Sequence, residues 1–241
     1  MGDLVAVAGG RHFIGGVKTF GLTNWTEADF AGQTWVEVDG WETRGDLGDS
    51  AEEINTPIIN RGRSVKQKGT FDAGSMENSF AWLVTDPGQL AVIAAAGVRA
   101  EYAFKNHYGD TPAVRSSAFT VTIAAPGVFT WTAHGMANGT AVQLSTTGAL
   151  PTGLAVATTY YVVGQTANTF NLALTKGGAP ITTTGTQSGV HTVTTQPTPT
   201  VEYFTAKVMG APVGGGDANS IMMLNETLAV CSNVVLVPAL G

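Results

Sequence analysis

A mainly β fold with a single short helix is what this sequence predicts. Three observations predict it. Runs that alternate apolar and polar residues recur along most of the chain. Thr, Gly and Val are abundant, and turn pairs such as Asn138-Gly139 and Gly177-Gly178 separate the runs. Only one stretch carries the signals of both ends of a helix.

That stretch, Arg61 to Gly97, anchors the reading as two strand-like runs joined by a short turn, then a helix. From Ser75 to Val84 the residues alternate: Met76, Phe80, Trp82 and Val84 point one way, Glu77 and Ser79 the other, as in a half-buried strand. Asp72-Ala73-Gly74 supplies the turn before it. A helix over about 86–97 follows. Asp86 is placed to cap it, Pro87 suits the first helical position, and Gln89 stands where a capping box wants its third residue. Leu90, Ile93 and Ala94 form a short apolar stripe, and Gly97 fits a left-handed stop.

The remaining elements follow from the same signals. In residues 1–34 the run R-H-F-I is an island between glycine pairs, expected either as an arm that orders against a neighbouring subunit or as a short edge strand on its own chain. Residues 35–43 read as a strand with an Asp39-Gly40 turn. Residues 44–60 read as a long polar loop carrying Asp46, Asp49, Glu52 and Glu53, followed at once by Arg61, Arg63, Lys66 and Lys68. Long loops are usually functional or mobile. The separation of acid from base suggests either a solvated face or an acidic loop of one subunit meeting a basic strand of the next. Ala100 to Asn106 alternates as another half-buried strand.

Composition then changes. From about Phe119 to Thr195 only Lys176 is charged, and five or six short runs follow one another at even spacing. This predicts a separate small β-sandwich or barrel. The charged, alternating style returns at Val201 and continues to Val237. The expected organisation is a discontinuous core of residues 1–117 and 197–241, with a module of residues 118–196 inserted into it.

With 241 residues, 44% of them hydrophobic, the chain can bury a real core. A formal net charge of -6 weighs against free binding to nucleic acid, because no general phosphate-attracting field exists. The single cysteine, Cys231, supplies neither a disulfide nor a thiolate zinc site and reads as a small buried strand residue. Leu4 to Ala8 is too short for a signal core. Met1-Gly2-Asp3 opens like an acylation site, but Ala6 stands where Ser or Thr is wanted. No apolar run approaches the roughly 20 residues of a membrane span. The expectation is a soluble protein made in a cytoplasm, with no membrane partner.

Enzymatic signals are absent. No nucleophile elbow, phosphate loop or dinucleotide fingerprint is present. His12, His107, His134 and His191 are scattered without ligand spacing, so no metal, cofactor or catalytic residue is expected. Glu52-Glu53 are neighbours on a loop and would not face one substrate.

Several pieces taken in order carry a resemblance: W-V-E-V-D-G-W-E-T-R-G-D-L-G-D, G-R-S-V-K-Q-K-G-T-F-D-A-G-S-M-E-N-S-F-A, D-P-G-Q-L-A-V-I-A-A-A, E-Y-A-F-K, and the late V-E-Y-F-T-A-K-V-M. Together they resemble the major tail tube protein of long-tailed, non-contractile (siphovirus-type) bacteriophages. The likeness covers roughly residues 1–115 and 197–241. Residues about 119–195 resemble a β-module that recurs in phage virion proteins, an Ig-like domain. The resemblance implies a tail-tube-type β-sandwich or barrel core with one helix, and an inserted module that projects outward. It implies a structural virion protein, not an enzyme. Hexameric rings would stack into a tube around a channel through which duplex DNA passes, without specific binding, during ejection. Its partners would be other copies of itself, the tape measure protein and the tail terminator.

Within that picture Arg44, Asp46, Asp49, Glu52, Glu53, Arg61 and Arg63 are candidates for an inter-ring loop. Glu77, Glu101 and Glu202, each set among apolar strand neighbours, are candidates for an acidic channel face, or else belong to a solvated outer face. An alternative from another class is a tail-tip or fibre-type binding protein whose module grips a host-surface glycan through Trp131, Tyr160 and Tyr161.

Overall fold

The computed structural model describes residues 4–21 and 23–241. Met1, Gly2 and Asp3, which open like an acylation site, lie outside the described residues. The chain divides into two compact units. The first runs to Gly109 and resumes over Val201–Val237; the second takes Asp110–Thr200 and Pro238–Gly241. The second unit is therefore longer than the expected 118–196, and the last four residues belong to it. The reason is a tie at its base. Thr200 donates from N and Oγ1 to the Asp110 carboxylate (2.8 and 2.6 Å), Ala239 N donates to Thr200 Oγ1 (3.1 Å), and Thr198 bridges Leu240.

In chain order the first unit supplies β1 (Arg11–Val17), a 3-10 turn (Glu27–Phe30), β2 (Val36–Val38), β3 (Trp41–Thr43), β4 (Ser50–Thr56), β5 (Val65–Asp72), β6 (Ser75–Ala81), the helix α1 (Pro87–Ala96) and β7 (Tyr102–His107). The second unit supplies β8 (Ser116–Val121), β9 (Phe129–Thr130), β10 (Ala141–Thr146), β11 (Thr159–Val163), β12 (Thr169–Ala173) and β13 (His191–Gln196). The first unit then finishes with β14 (Val201–Gly210), β15 (Val213–Gly214), β16 (Met223–Val230) and β17 (Val235–Val237). The fold is mainly β with one α-helix, as the composition and the alternating runs predict.

The main sheet of the first unit is antiparallel, in the order β2-β1-β7-β14-β16-β6-β3, with β15 added on β16 and β17 on β14. Its two ends, β2 and β3, are joined through Asp39 and Gly40 alone, so the sheet curls into a half-barrel. Gly40 turns the corner at φ +81, and a Cβ there would press on the Ala81 carbonyl. Residues 11–17 are neither an arm nor an edge: β1 pairs with β2 on one side and β7 on the other. His12, Phe13 and Ile14 are buried. Gly15 leaves room for the Trp35 ring where the register shifts.

Strand β6 and its turn follow the sequence pattern. Met76 and Phe80 are fully buried, Gly74 takes φ +67, and Asp72 Oδ1 accepts from Gly74 N at 2.9 Å. The strand ends at Ala81, and Val84 is exposed.

Helix α1 begins as expected, with Asp86 Oδ1 accepting from Gln89 N at 2.7 Å. Three details differ. The Gln89 side chain makes no capping box; it accepts from Leu83 N (3.0 Å) and donates to Asp39 O and Ala81 O (both 2.8 Å), which pins the helix to the β2–β3 corner. Gly97 is right-handed at φ -80, ψ -4. The buried face is Gly88, Gln89, Val92 and Ala95, while Leu90 and Ala94 face out. The helix carries no charged residue, so its period does not mark which side is inward.

The largest difference lies in residues 44–60. Much of the expected loop is strand. β4 pairs with β5 from Ser50↔Asp72 to Thr56↔Val65, and these two strands form a sheet of their own.

In the second unit six strands close into a barrel, β10-β11-β12-β9-β8-β13, the barrel form of the expected module rather than an Ig-like sandwich. Phe119, Phe129, Tyr160, Phe170, Leu172 and Val193 fill its interior. Among the described residues no helix is long and apolar enough to cross a membrane.

Candidate assembly surfaces

Among the described residues the β4–β5 hairpin pairs with no other strand, so each of its strands keeps one unpaired edge. Both strands are almost wholly exposed. A two-stranded ribbon alone is marginal in water, because backbone pairing without a buried face barely offsets the loss of chain entropy. What holds this one is local. Lys66 Nζ lies 2.9 Å from Glu53 Oε2, Lys68 Nζ sits 4.5 Å from the Phe71 ring centroid, and Ser50 Oγ donates to Asp72 O at 3.1 Å. Gly69 stands where a Cβ would crowd the Glu52 carbonyl beside a register shift. Acid and base therefore meet first within the hairpin. Its apolar side chains remain uncovered: Ile54 is 46% and Phe71 64% exposed.

Asp46, Asp49, Glu52, Arg61 and Arg63 are exposed in or beside this hairpin. Arg44 is not part of it. Its guanidinium is drawn into the main sheet, with Nη2 2.8 Å from Glu202 Oε2 and 3.1 Å from the Tyr108 hydroxyl. The grouping of Arg44 with an inter-ring loop is corrected accordingly.

The main sheet has two faces. The face toward α1 carries the core, including Ile14, Phe80, Phe104, Phe204, Leu224 and Leu228. Polar residues of the same parity interrupt it. His12, Asn106 and Glu202 stand directly opposite one another across β1, β7 and β14, and Asn78 faces Glu226 across β6 and β16. His12 Nδ1 meets Asn106 Oδ1 at 2.6 Å, and Asn106 Nδ2 donates to Glu202 Oε2 at 3.4 Å. Asn78 Nδ2 donates to Glu226 Oε2 at 2.8 Å. Because the sheet curls, the two rows meet, with His12 Nε2 lying 3.2 Å from Glu226 Oε2. The His12 ring is held between Trp41, Phe80 and Phe104, with the last stacked at 5.5 Å.

The opposite face is half covered. Residues 23–35 fold over it, placing Phe30 against Tyr203 (5.2 Å) and Trp35 beside the same ring (6.0 Å). Lys105 Nζ lies 4.2 Å from the Phe13 ring centroid, and burial pushes its amine down to about 8. The uncovered half carries Glu77, Asn225, Lys207 and Met209, all exposed, with Glu77 directly opposite Thr227.

Of the three proposed channel acids, only Glu77 is on an open surface. Glu202 is 5% exposed and on the core face, where Arg44 and Tyr108 hold it. Glu101 is 6% exposed, accepting from Thr205 Oγ1 (2.6 Å) and Phe20 N (3.0 Å) beneath the covering segment. Both are structural carboxylates in the folded chain, since burial without such partners would be prohibitive.

Sequence reading missed the polar rows, although a signal was present. His12, Asn78, Asn106 and Glu226 each stand two residues from a core residue, on its parity: Ile14, Phe80, Phe104 and Leu228. Among the described residues no group of His, Cys, Asp and Glu could hold a metal ion. In the second unit Tyr160 is a core residue whose hydroxyl accepts from Ala155 N at 2.8 Å, so Trp131, Tyr160 and Tyr161 do not form one grip.

A comparison with protein-family models and with curated proteins finds no match.

Proposed function

We propose that this chain is a structural virion protein, the repeating subunit of a phage tail tube, in which rings of identical copies stack around a channel for DNA. The observation that carries the reading is the unpartnered β4–β5 hairpin. Strands of this length with free edges and uncovered Ile54 and Phe71 need a second surface to gain much stability. Another copy of the same chain supplies it repeatedly, and a contact that does not close on itself builds a filament.

The open half of the sheet suits a channel wall. It offers Glu77, Asn225, Thr227 and one lysine, Lys207. Duplex DNA would meet few cations there, and so would be neither gripped nor strongly repelled. The hexameric count, the tape measure and the tail terminator come from the family resemblance alone.

Electron microscopy of concentrated purified protein tests the reading. The expected result is long tubes with an axial hole. Replacing Ser50–Asp72 by a short Gly-Ser linker should leave the far-ultraviolet circular dichroism of a β protein and abolish the tubes. Full-length protein that stays monomeric at every concentration would sink the proposal.

A further inference from the structure

The second unit carries a groove on the outside of its barrel, with a volume of about 810 Å³. Its floor is Ser117–Val121 of β8. One wall is residues 130–132 and the other is residues 187–191. Along the floor the side chains alternate. Phe119 and Val121 point into the barrel, which leaves Ala118 and Thr120 exposed to the groove.

Three features define what could lie there. First, none of the lining residues is Asp, Glu, Lys or Arg. A phosphate or carboxylate would find no cation in the lining, and the nearby Arg115 guanidinium is already engaged by His134 O. Second, β8 is hydrogen-bonded to β13 over Ser116–Phe119 and to β9 at Thr120 and Val121, so its open edge is confined to a few residues and gives an extended peptide little to add to. Third, the hydroxyls of Thr120, Thr130 and Thr132 have no hydrogen-bond partner among the described residues, and neither does the half-exposed Trp131 indole N–H. A hydrocarbon chain would leave all of them unsatisfied.

The rim is already set. Gln187 donates from Nε2 to Val121 O (2.9 Å), and its Oε1 lies 3.1 Å from His191 Nε2. Trp131 N donates to Asn168 O at 3.0 Å, and the Arg115 guanidinium sits 5.9 Å from the Trp131 ring centroid. A half-exposed indole beside a row of free hydroxyls offers a flat apolar surface and hydrogen-bonding groups in one uncharged place. That combination matches an uncharged ring with hydroxyls on its rim and C–H groups on its face.

We propose that this groove binds a neutral saccharide, with Trp131 stacking on a sugar ring and Thr120, Thr130 and Thr132 bonding its hydroxyls. The site lies within the second unit and stands independently of tube assembly.

The test uses the full chain with four defined probes: maltohexaose, cellohexaose, chitohexaose and, as an anionic control, hexagalacturonate. Binding is read by saturation-transfer NMR and tryptophan fluorescence. At least one neutral hexamer is expected to bind, and hexagalacturonate is not. Trp131→Ala should weaken binding about tenfold or more, through loss of the stacked ring. Because Trp131 also packs on the barrel, Thr120→Val provides a second variant that keeps the floor's shape. It should weaken binding severalfold with an unchanged melting temperature. The proposal is overturned if no neutral hexamer binds. It fails equally if both variants bind as the parent does, if the anionic hexamer is preferred, or if self-association shields Trp131 from acrylamide quenching.

Discussion

Arg44 Nη2 lies 2.8 Å from Glu202 Oε2, and the Tyr108 hydroxyl donates to the other carboxylate oxygen at 2.6 Å. The pair is part of the polar row on the core face, so removing one member strands the other. Glu202→Ala is expected to destabilise the first unit by about 3 kcal/mol, the usual cost of an uncompensated charge in a largely buried site. Urea unfolding measures it. Arg44→Ala combined with Glu202→Ala should cost clearly less than the sum of the single changes; simple additivity would mean that the two groups are not coupled.

His107 makes stability depend on acid. Burial pushes its imidazole from 6.5 down to about 4, with Lys105 and Arg11 adding to the effect. Between those values the unfolded chain binds a proton that the folded chain refuses, so stability falls as the pH drops through that window. Lys105 acts in the same sense at higher pH. Its amine is lowered from 10.5 to about 8, so its contribution rises with pH between those limits. His107→Gln should flatten the decline between pH 6.5 and 4, measured as the urea midpoint against pH. A decline of unchanged slope would assign it to other groups.

Gly88 is where α1 touches the sheet. A Cβ there would run into the Glu37 carbonyl and the Val38 backbone, neither of which is a flexible side-chain end. Gly88→Ala is therefore expected to destabilise by about 2–3 kcal/mol despite its better helix propensity. Thermal unfolding decides between the two effects: a stabilised variant would mean that the helix can lift away at little cost.

On the proposed function, the hairpin serves assembly rather than folding. Ile54→Ser with Phe71→Ser should change chemical stability by no more than about 1 kcal/mol, the exposed Lys68–Phe71 contact being the main loss. The same double variant should form no tubes under the electron microscope. Tubes of normal length would show that these side chains are not what the neighbouring copy covers.

Local chemistry was the legible part. The Asp72-Ala73-Gly74 turn, strand β6 and the Asp86 cap each depend on residues close in sequence, and each is found where its signals stand. The buried face of α1 was illegible because Leu90, Val92, Ile93 and Ala95 are all apolar and tertiary contact alone chooses among them. Strand β4 was hard to see for a related reason. Its residues are almost wholly exposed, so it lacks the apolar alternation that marks a half-buried strand, whereas β5 stands where a strand was expected before the Asp72-Ala73-Gly74 turn. Glu202 was misjudged although its parity was informative: it shares a face with Phe204, Ala206 and Val208, which made the core its natural side. Glu101 gave no such warning, because its partner Thr205 and its cover from Phe20 are distant in sequence.

The six strands of the second unit each pair with a neighbour on both sides, which closes the ring. A body closed in that manner offers no long backbone seam for a stranger's chain to zip onto. Many such bodies can be crowded side by side at high local density without becoming entangled; were copies to assemble as proposed, one such body per copy would add bulk and exposed area while leaving the order of the assembly undisturbed.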